Sequence, residues 1–568
     1  MIVAFMFAGP ALGDPAPEGA SETAPVAGQP SSGPSQSATA AAQPASAPSQ
    51  TVSPSSERHV DIEAYDVDGN TKLDQETIET AVYPFLGPDR VRDDVGAARQ
   101  ALQRAYESHG YQSVVVEIPP QNVTNGIVKL HVVEAPVGLL RVTGARYYLP
   151  SEIKAHVPSL QAGNVPNFED TQQELADLNR LPGEQVTPLL KPGKVPDTVD
   201  VDLQVKDQLP VHASVELNND HSANTEPLRT IATVRYDNLW QLGNSISATW
   251  LRAPQNVKSG QVFAASYLAP IWGSPWSLLV SGYQSASFVN SLGGTGVLGN
   301  GYSISAHGVM TLPKLGEFDD TFNFGISFNH FLENVSFNPK TPCISPIVPG
   351  GTCTTVEYVP LAATYNLSRA SKESATDISI GITAGIRGFG TSPLEFVQTR
   401  AFATANFIHV NLDATQTQSL GGDFQAVFHF AGQGSDQPLI PTEEFALGGL
   451  TSVRGYLQSE AVADNGLLGS IELRSPSIGS WFGSFIDDWR FFAFGDSGMD
   501  WVEDALPAAI FGQPNQKSAF HLYSAGLGSR IELFTYVSGN VDVAVPLING
   551  PTTKAYQPVT SFSVKTEF

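Results

Sequence analysis

Three short runs in this 568-residue chain carry residue types that could do chemistry. Gly495-Asp496-Ser497-Gly498 offers a serine beside an acid. A nucleophilic serine needs a histidine base held by a third group. No His–Asp pair stands in a matching context, and Met499 follows where a further glycine would extend the pattern. Asp66-Val67-Asp68-Gly69-Asn70-Thr71-Lys72 begins like a calcium loop, but Thr71 and Thr77 occupy the positions that need glycine and a bidentate glutamate. A plain turn between strand and helix is the expectation there. Cys343 and Cys353 lie ten apart in a segment rich in Pro and Gly. Two lone ligands do not make a metal site, and the spacing suits a small loop closed by a disulfide in an oxidising compartment, with two free thiols as the alternative. G-x-S-x-G, H-E-x-x-H and P-loop signatures are missing. Neither an enzyme, nor a metal, nor a cofactor is expected.

The elements that hold these residues follow from composition and patterning. Only 15% of residues are charged, yet 31 Lys+Arg stand against 56 Asp+Glu, a net charge of −25. Phosphate binding needs clustered Lys and Arg, so a nucleic-acid partner is excluded. A hydrophobic content of 41% excludes wholesale disorder, and no apolar run reaches the length of a membrane-spanning helix. Thirty Phe and 51 Gly then leave a large soluble β-protein or an outer-membrane barrel, whose membrane signal is hidden by alternation.

Residues 1–14 hold the apolar stretch Met1–Leu12 and small residues, which read as the core of a signal peptide without its basic region. In 15–56, 28 of 42 residues are Pro, Ala or Ser, with no Lys or Arg, which marks an extended linker. Two units then share the order β-α-α-β-β. In 57–135, a strand at His59–Ala64 precedes helices at Asp74–Tyr83 and Val95–His109 and strands at Ser113–Ile118 and Gly126–Val133. The helix period shows in Ala98, Ala101, Leu102 and Ala105. In 136–209, a strand at Val137–Gly144 precedes helices at Ser151–His156 and Thr171–Asn179 and strands at Val186–Lys191 and Thr198–Lys206.

From residue 210 to 568 the period becomes two. Phe322, Phe324, Ile326 and Phe328 alternate with Asn323, Gly325, Ser327 and Asn329, and Ile378, Ile380 and Ile382 with Ser379, Gly381 and Thr383. The polar face is rich in Gly, Ser and Thr, which suits a water-filled lumen. About sixteen such strands can be counted, and the 358 residues from Val211 onward allow about 22 for each strand with its connection. Phe562, Val564, Thr566 and the terminal Phe568 alternate with Ser561, Ser563, Lys565 and Glu567. Parity also puts Phe494, Asp496 and Gly498 on one face, opposite Phe491, and Glu472 on the face opposite Ile471 and Leu473. The fold class is therefore membrane all-β: a 16-stranded antiparallel transmembrane barrel preceded by two α+β units.

The two units resemble polypeptide-transport-associated (POTRA) domains; in the second, Leu178-Asn-Arg-Leu-Pro-Gly183 and Leu190-Lys-Pro-Gly-Lys194 are similar to the counterpart in two-partner secretion transporters. Leu447-Gly-Gly-Leu-Thr-Ser-Val453-Arg454-Gly455-Tyr456 resembles the VRGY/F loop of barrels that insert or secrete polypeptides. Phe494-Gly-Asp496-Ser-Gly498 matches the wall pattern F-x-D-x-G of that superfamily. Together these run through nearly all of 59–568 and point to the two-partner secretion outer-membrane transporters of the haemolysin secretion/activation (TpsB; ShlB/FhaC/HecB) type. The resemblance implies that loop 441–463 folds into the lumen, that Arg454 meets Asp496, with Glu472 as a second acceptor, and that Phe568 ends a strand recognised by the barrel-assembly machinery. It also implies POTRA domains in the periplasm of a bacterial cell, a barrel in outer-membrane lipid, and periplasmic chaperones during biogenesis. On that topology Cys343 and Cys353 fall in an extracellular connection.

The implied function is capture of an unfolded exoprotein, large and β-helical (TpsA-like), of the haemolysin or adhesin kind, and its secretion through the barrel by the type Vb route. An insertase that assembles outer-membrane proteins is the first alternative, although such proteins usually carry more POTRA domains. A passive solute porin is the second; it would lack both the tandem units and the arginine loop. Members of the family often place a plug helix ahead of the linker, and Met1–Leu12 reads as leader rather than plug, so that the expectation is either an absent plug or a truncated start.

Overall fold

The computed structural model describes residues 59–123, 125–181, 183–223, 225–256, 260–292, 295–332, 355–390, 393–505 and 517–568; for 286–292, 295–299 and 398 it describes the backbone alone. Residues 1–58, with the expected leader and linker, and Cys343 and Cys353 lie outside the described residues.

The first unit comprises β1 (Val60–Ile62), β2 (Ala64–Asp68), α1 (Gln75–Val82), β3 (Gly87–Arg90), α2 (Arg92–Ser108), β4 (Val114–Glu117) and β5 (Ile127–Glu134). Asp74 caps α1 by accepting the Thr77 amide at 3.1 Å. Ala98, Leu102 and Tyr106 put the buried stripe of α2 against the inward residues Val114, Val116, Leu130 and Val132 of a sheet ordered β2-β5-β4. The strand that enters this sheet is Ala64–Asp68, parallel to β5. The stretch expected to supply it instead forms a separate ribbon, β1 with β3. Asp66 and Asp68 are therefore strand residues rather than turn residues. They point at basic side chains across the sheet, with Lys129 Nζ 3.6 Å from Asp66 and His131 Nδ1 2.5 Å from Asp68. Two alternating carboxylates facing bases satisfy one another across a sheet and leave no calcium loop.

The second unit repeats this plan with β6 (Val137–Thr143), α3 (Pro150–Ala155), α4 (Phe168–Asn179), β7 (Glu184–Pro192) and β8 (Val199–Asp207). Its sheet is ordered β6-β8-β7, again with the first strand parallel to the last. Val137, Ile153, Leu160, Leu178, Val201 and Leu203 form its core.

Sixteen antiparallel strands then close a barrel, from Val211–Asn218 to Val559–Glu567. Phe263, Phe324, Ile380, Phe428 and Phe491 are exposed on the outside. Inside, hydroxyls pair across neighbouring strands: Ser247 with Ser266 at 2.7 Å, Ser281 with Ser305 at 2.7 Å, and Thr233 with Thr249 at 3.0 Å. An apolar exterior over a polar interior is the signature of a barrel in lipid around an aqueous lumen. The first and last strands close the barrel through five register pairs, Ser563↔Asn218 to Glu567↔Ser214, and Phe568 exchanges two backbone hydrogen bonds of 3.0 Å with Ala213.

The second unit docks on the periplasmic turns of the barrel. Gln241 accepts the Leu149 amide at 2.9 Å and donates to Tyr147 O at 3.3 Å, while Arg180 Nη2 donates to Ser274 O at 3.1 Å. The ring of Trp272 lies 3.7 Å from that of His156.

Candidate functional site: an arginine loop in the lumen

The eleventh strand (Phe424–Ser435) and the twelfth (Asn465–Arg474) pair directly, so the chain between them must leave the wall and return to it. It does so as a hairpin, Phe445–Leu447 against Ala461–Ala463, with the residues 448–460 beyond it. Leu447, Val453, Tyr456 and Ala461 pack with Ala431, Leu468 and Leu522 of the barrel wall, which places the loop inside the lumen.

At the tip, Arg454 is held from three directions. Its backbone amide and Nε donate to Asp496 Oδ2 at 3.0 and 2.9 Å, and Nη2 donates to Asp496 Oδ1 at 2.9 Å. Nη1 donates to Glu472 Oε2 at 2.6 Å, and Nη2 reaches Ser470 Oγ at 3.3 Å. Ser470 in turn donates to Asp496 Oδ1 at 2.6 Å, and Arg474 Nε donates to Glu472 Oε1 at 2.8 Å. Side-chain exposure is 12% for Arg454, 0% for Asp496 and 8% for Glu472. Arg454 and Arg474 against Asp496 and Glu472 make a neutral quartet, which is what allows four charges to share a shielded place. Glu472 sits on the twelfth strand and Asp496 on the thirteenth (Ile486–Trp501), where inward residues alternate with lipid-facing Ile471, Leu473 and Phe491.

The remaining residues of both motifs have steric roles. A Cβ at Gly498 would lie 2.8 Å from the side chains of Leu447 and Val453, so the wall needs glycine for the loop to approach. Gly455 has φ +88°, and a Cβ there would meet that of Ala544 at 2.9 Å. Val453 is fully buried. The Tyr456 hydroxyl donates to the carbonyls of Ile548 at 2.9 Å and Tyr523 at 3.0 Å. Ser497 lies on the exposed, lipid-facing side of its strand, away from Asp496. Among the described residues no cluster of metal-ligating side chains occurs.

Several contacts have no counterpart in the sequence reading. Glu460 accepts the amides of Thr552 and Thr553 at 2.6 and 2.7 Å and their hydroxyls at 2.8 and 2.9 Å. Asp220 accepts the Leu450 amide at 3.3 Å, and Gln458 N donates to His221 O at 3.0 Å. Ser470 could have been found, since it shares the inward parity of Glu472 on the same strand. Glu460 and Asp220 had no such signal, because their partners are distant in sequence.

The fold is an outer-membrane barrel preceded by POTRA units, with an arginine loop folded into its lumen. The ShlB-type POTRA domain family matches residues 60–135, and the haemolysin secretion/activation protein ShlB/FhaC/HecB family matches residues 357–505, a span that contains Arg454, Glu472 and Asp496. Both matches agree with the resemblance to the two-partner secretion (TpsB) outer-membrane transporters. It is 21% identical over 480 residues to the heme/hemopexin transporter protein HuxB of Haemophilus influenzae strain 86-028NP, covering 82% of this chain and 79% of that one. It is 27% identical over 160 residues to the outer membrane transporter CdiB of Escherichia coli O6:K15:H31, covering 28% and 27%. Among solved structures, CdiB from Escherichia coli superposes with a TM-score of 0.58 at 18% identity, over 91% of this chain and 92% of that one. BamA from Haemophilus ducreyi lacking POTRA domains 1–3 gives 0.51 at 14% identity, over 90% and 100%. These superpositions concern the fold.

Proposed function

We propose that this protein takes an unfolded exoprotein from the periplasm through its POTRA units and passes it through the barrel, with the Arg454 loop holding the lumen in the geometry that passage requires. The observation that carries this reading is the quartet at the loop tip. Removing one member of a shielded charge pair leaves an uncompensated charge, at a cost of about 3–5 kcal/mol. That is enough to detach a loop tip while leaving sixteen paired strands intact. The sheets of the two units end in β2 and β4 and in β6 and β7, whose free edges can add an extended peptide strand without regard to its sequence. The substrate is then a large β-helical exoprotein of the haemolysin or adhesin kind. Outer-membrane lipid surrounds the barrel, and barrel-assembly machinery and periplasmic chaperones serve its biogenesis.

Arg454→Ala and Asp496→Ala should each abolish secretion of the exoprotein while the barrel keeps its heat-modifiable mobility on gels. Normal secretion by both variants sinks the loop's role. Capture is tested separately: residues 57–207 should retain an N-terminal fragment of the exoprotein in a pull-down.

A further inference from the structure

We propose that Arg400 is a second positioning residue for the lumenal loop, one that clamps its neck while Arg454 fixes its tip. The proposal rests on the reading of the loop given above, and it concerns a different set of side chains.

Arg400 lies just beyond α5 (Pro393–Thr399), in the connection between the ninth and tenth strands. This helix is seated by Phe396, which is fully buried against Tyr358, Phe407, Leu439 and Ile440. The guanidinium is 8% exposed and meets Asp464, the last residue of the loop, which is 0% exposed. Arg400 Nη2 donates to Asp464 Oδ2 at 2.8 Å and to Glu503 O at 3.2 Å, and Nε lies 3.5 Å from Glu444 Oε1. The carboxylate of Asp464 also accepts the Leu439 amide at 2.5 Å and the Glu503 amide at 2.8 Å. One ion pair thus ties together the connections after the ninth, eleventh and thirteenth strands.

The neck is closed on its other side as well. Gln433 Nε2 donates to Glu443 O at 2.9 Å and to Asp464 O at 3.0 Å, which bridges the outgoing and returning legs of the loop. The Glu443 carboxylate is held by the Tyr358 hydroxyl at 2.5 Å and by His409 Nε2 at 3.1 Å. None of these side chains belongs to the quartet around Arg454. Breaking the tip therefore leaves the loop tethered at its root, so that it swings instead of escaping. Breaking the neck loosens the loop where it leaves the wall.

The test uses full-length protein carrying Arg400→Ala, Arg400→Lys, Asp464→Asn and the Arg400→Ala/Asp464→Asn pair, with Arg454→Ala in parallel. Channel opening is recorded in planar bilayers, and cleavage within 439–464 is followed with protease added to intact cells. Heat-modifiable mobility reports that the barrel has folded. Arg400→Ala and Asp464→Asn should each raise opening frequency about tenfold and expose the neck to cleavage, and the pair should do no more than either single change. Arg400→Lys keeps the charge but not the fork, and should fall between. Wild-type opening and protection in both single variants overturns the proposal, as do effects that simply multiply in the pair. If Arg400→Ala loses the folded band, Asp464→Asn and Arg400→Lys decide by the same criteria. Opening by the neck variants together with normal secretion by Arg454→Ala would leave the neck clamp standing and remove the tip reading alone.

Discussion

The guanidinium carbon of Arg454 lies 3.5 Å from the centre of the Phe494 ring, so one face of the cation is covered by an aromatic while its edge is given to Asp496 and Glu472. A shielded cation–π contact contributes about 1–2 kcal/mol beyond area burial. Phe494→Leu keeps an apolar side chain there and removes the π face. Secretion should fall severalfold without reaching the full loss expected of Arg454→Ala. A quantitative blot of exported exoprotein checks this, and export equal to wild type refutes it.

Arg454→Lys separates charge from geometry. A lysine ammonium restores the positive charge but cannot engage both oxygens of Asp496 and reach Glu472 with one planar fork. The variant should retain partial secretion, with a loss of about 2 kcal/mol in loop docking relative to wild type. Its bilayer conductance should lie between those of wild type and Arg454→Ala. Behaviour equal to Arg454→Ala would mean that charge contributes nothing.

Tyr456 and Gly455 separate hydrogen bonding from steric fit. Tyr456→Phe removes the donor that serves the carbonyls of Ile548 and Tyr523, at about 1 kcal/mol, and should slow secretion modestly. Gly455→Val places a branched side chain at φ +88° against Ala544 and should release the tip as fully as Arg454→Ala does. Protease accessibility of the loop distinguishes the two. Equal protection in both variants would contradict the close approach.

The periplasmic side carries a pH dependence. Burial, with Asp207 adding to it, pushes Glu184 of β7 up from 4.5 to about 7. The folded state therefore holds a proton that the unfolded chain has lost. The stability that this proton confers is complete below pH 4.5 and disappears as pH rises through 7. Glu184→Gln should then stabilise the second unit by up to about 3 kcal/mol at pH 8 and by nothing at pH 4. Urea-dependent proteolysis of that unit in the purified full-length protein measures the difference. A gain that is the same at both pH values would place the cause elsewhere.

Arg454 and Asp496 could be singled out in advance because each sits in a run of distinctive residues, and strand parity places Asp496 inward. Arg400 and Asp464 could not. Each is an ordinary charged residue in a connection, and the two meet only because three connections converge over one end of the barrel. The same limit explains the first strand of the first unit. Val60–Ile62 and Ala64–Asp68 have equal claims to be the sheet strand, and the choice is made by pairing with β3 and β5, not by local pattern.

What the sequence determined by itself is which face of each strand meets lipid and which meets water. That follows from a two-residue period and the low solubility of Phe, Ile and Leu side chains, and both are local properties. Only the tertiary structure decided how the barrel closes and where the loop goes. Phe562 N bonds the Asn219 side chain at 2.8 Å, and Arg454 finds Asp496 on the strand beside the one to which its loop returns. Such partners are chosen by register and closure around all sixteen strands. No window of sequence contains that information.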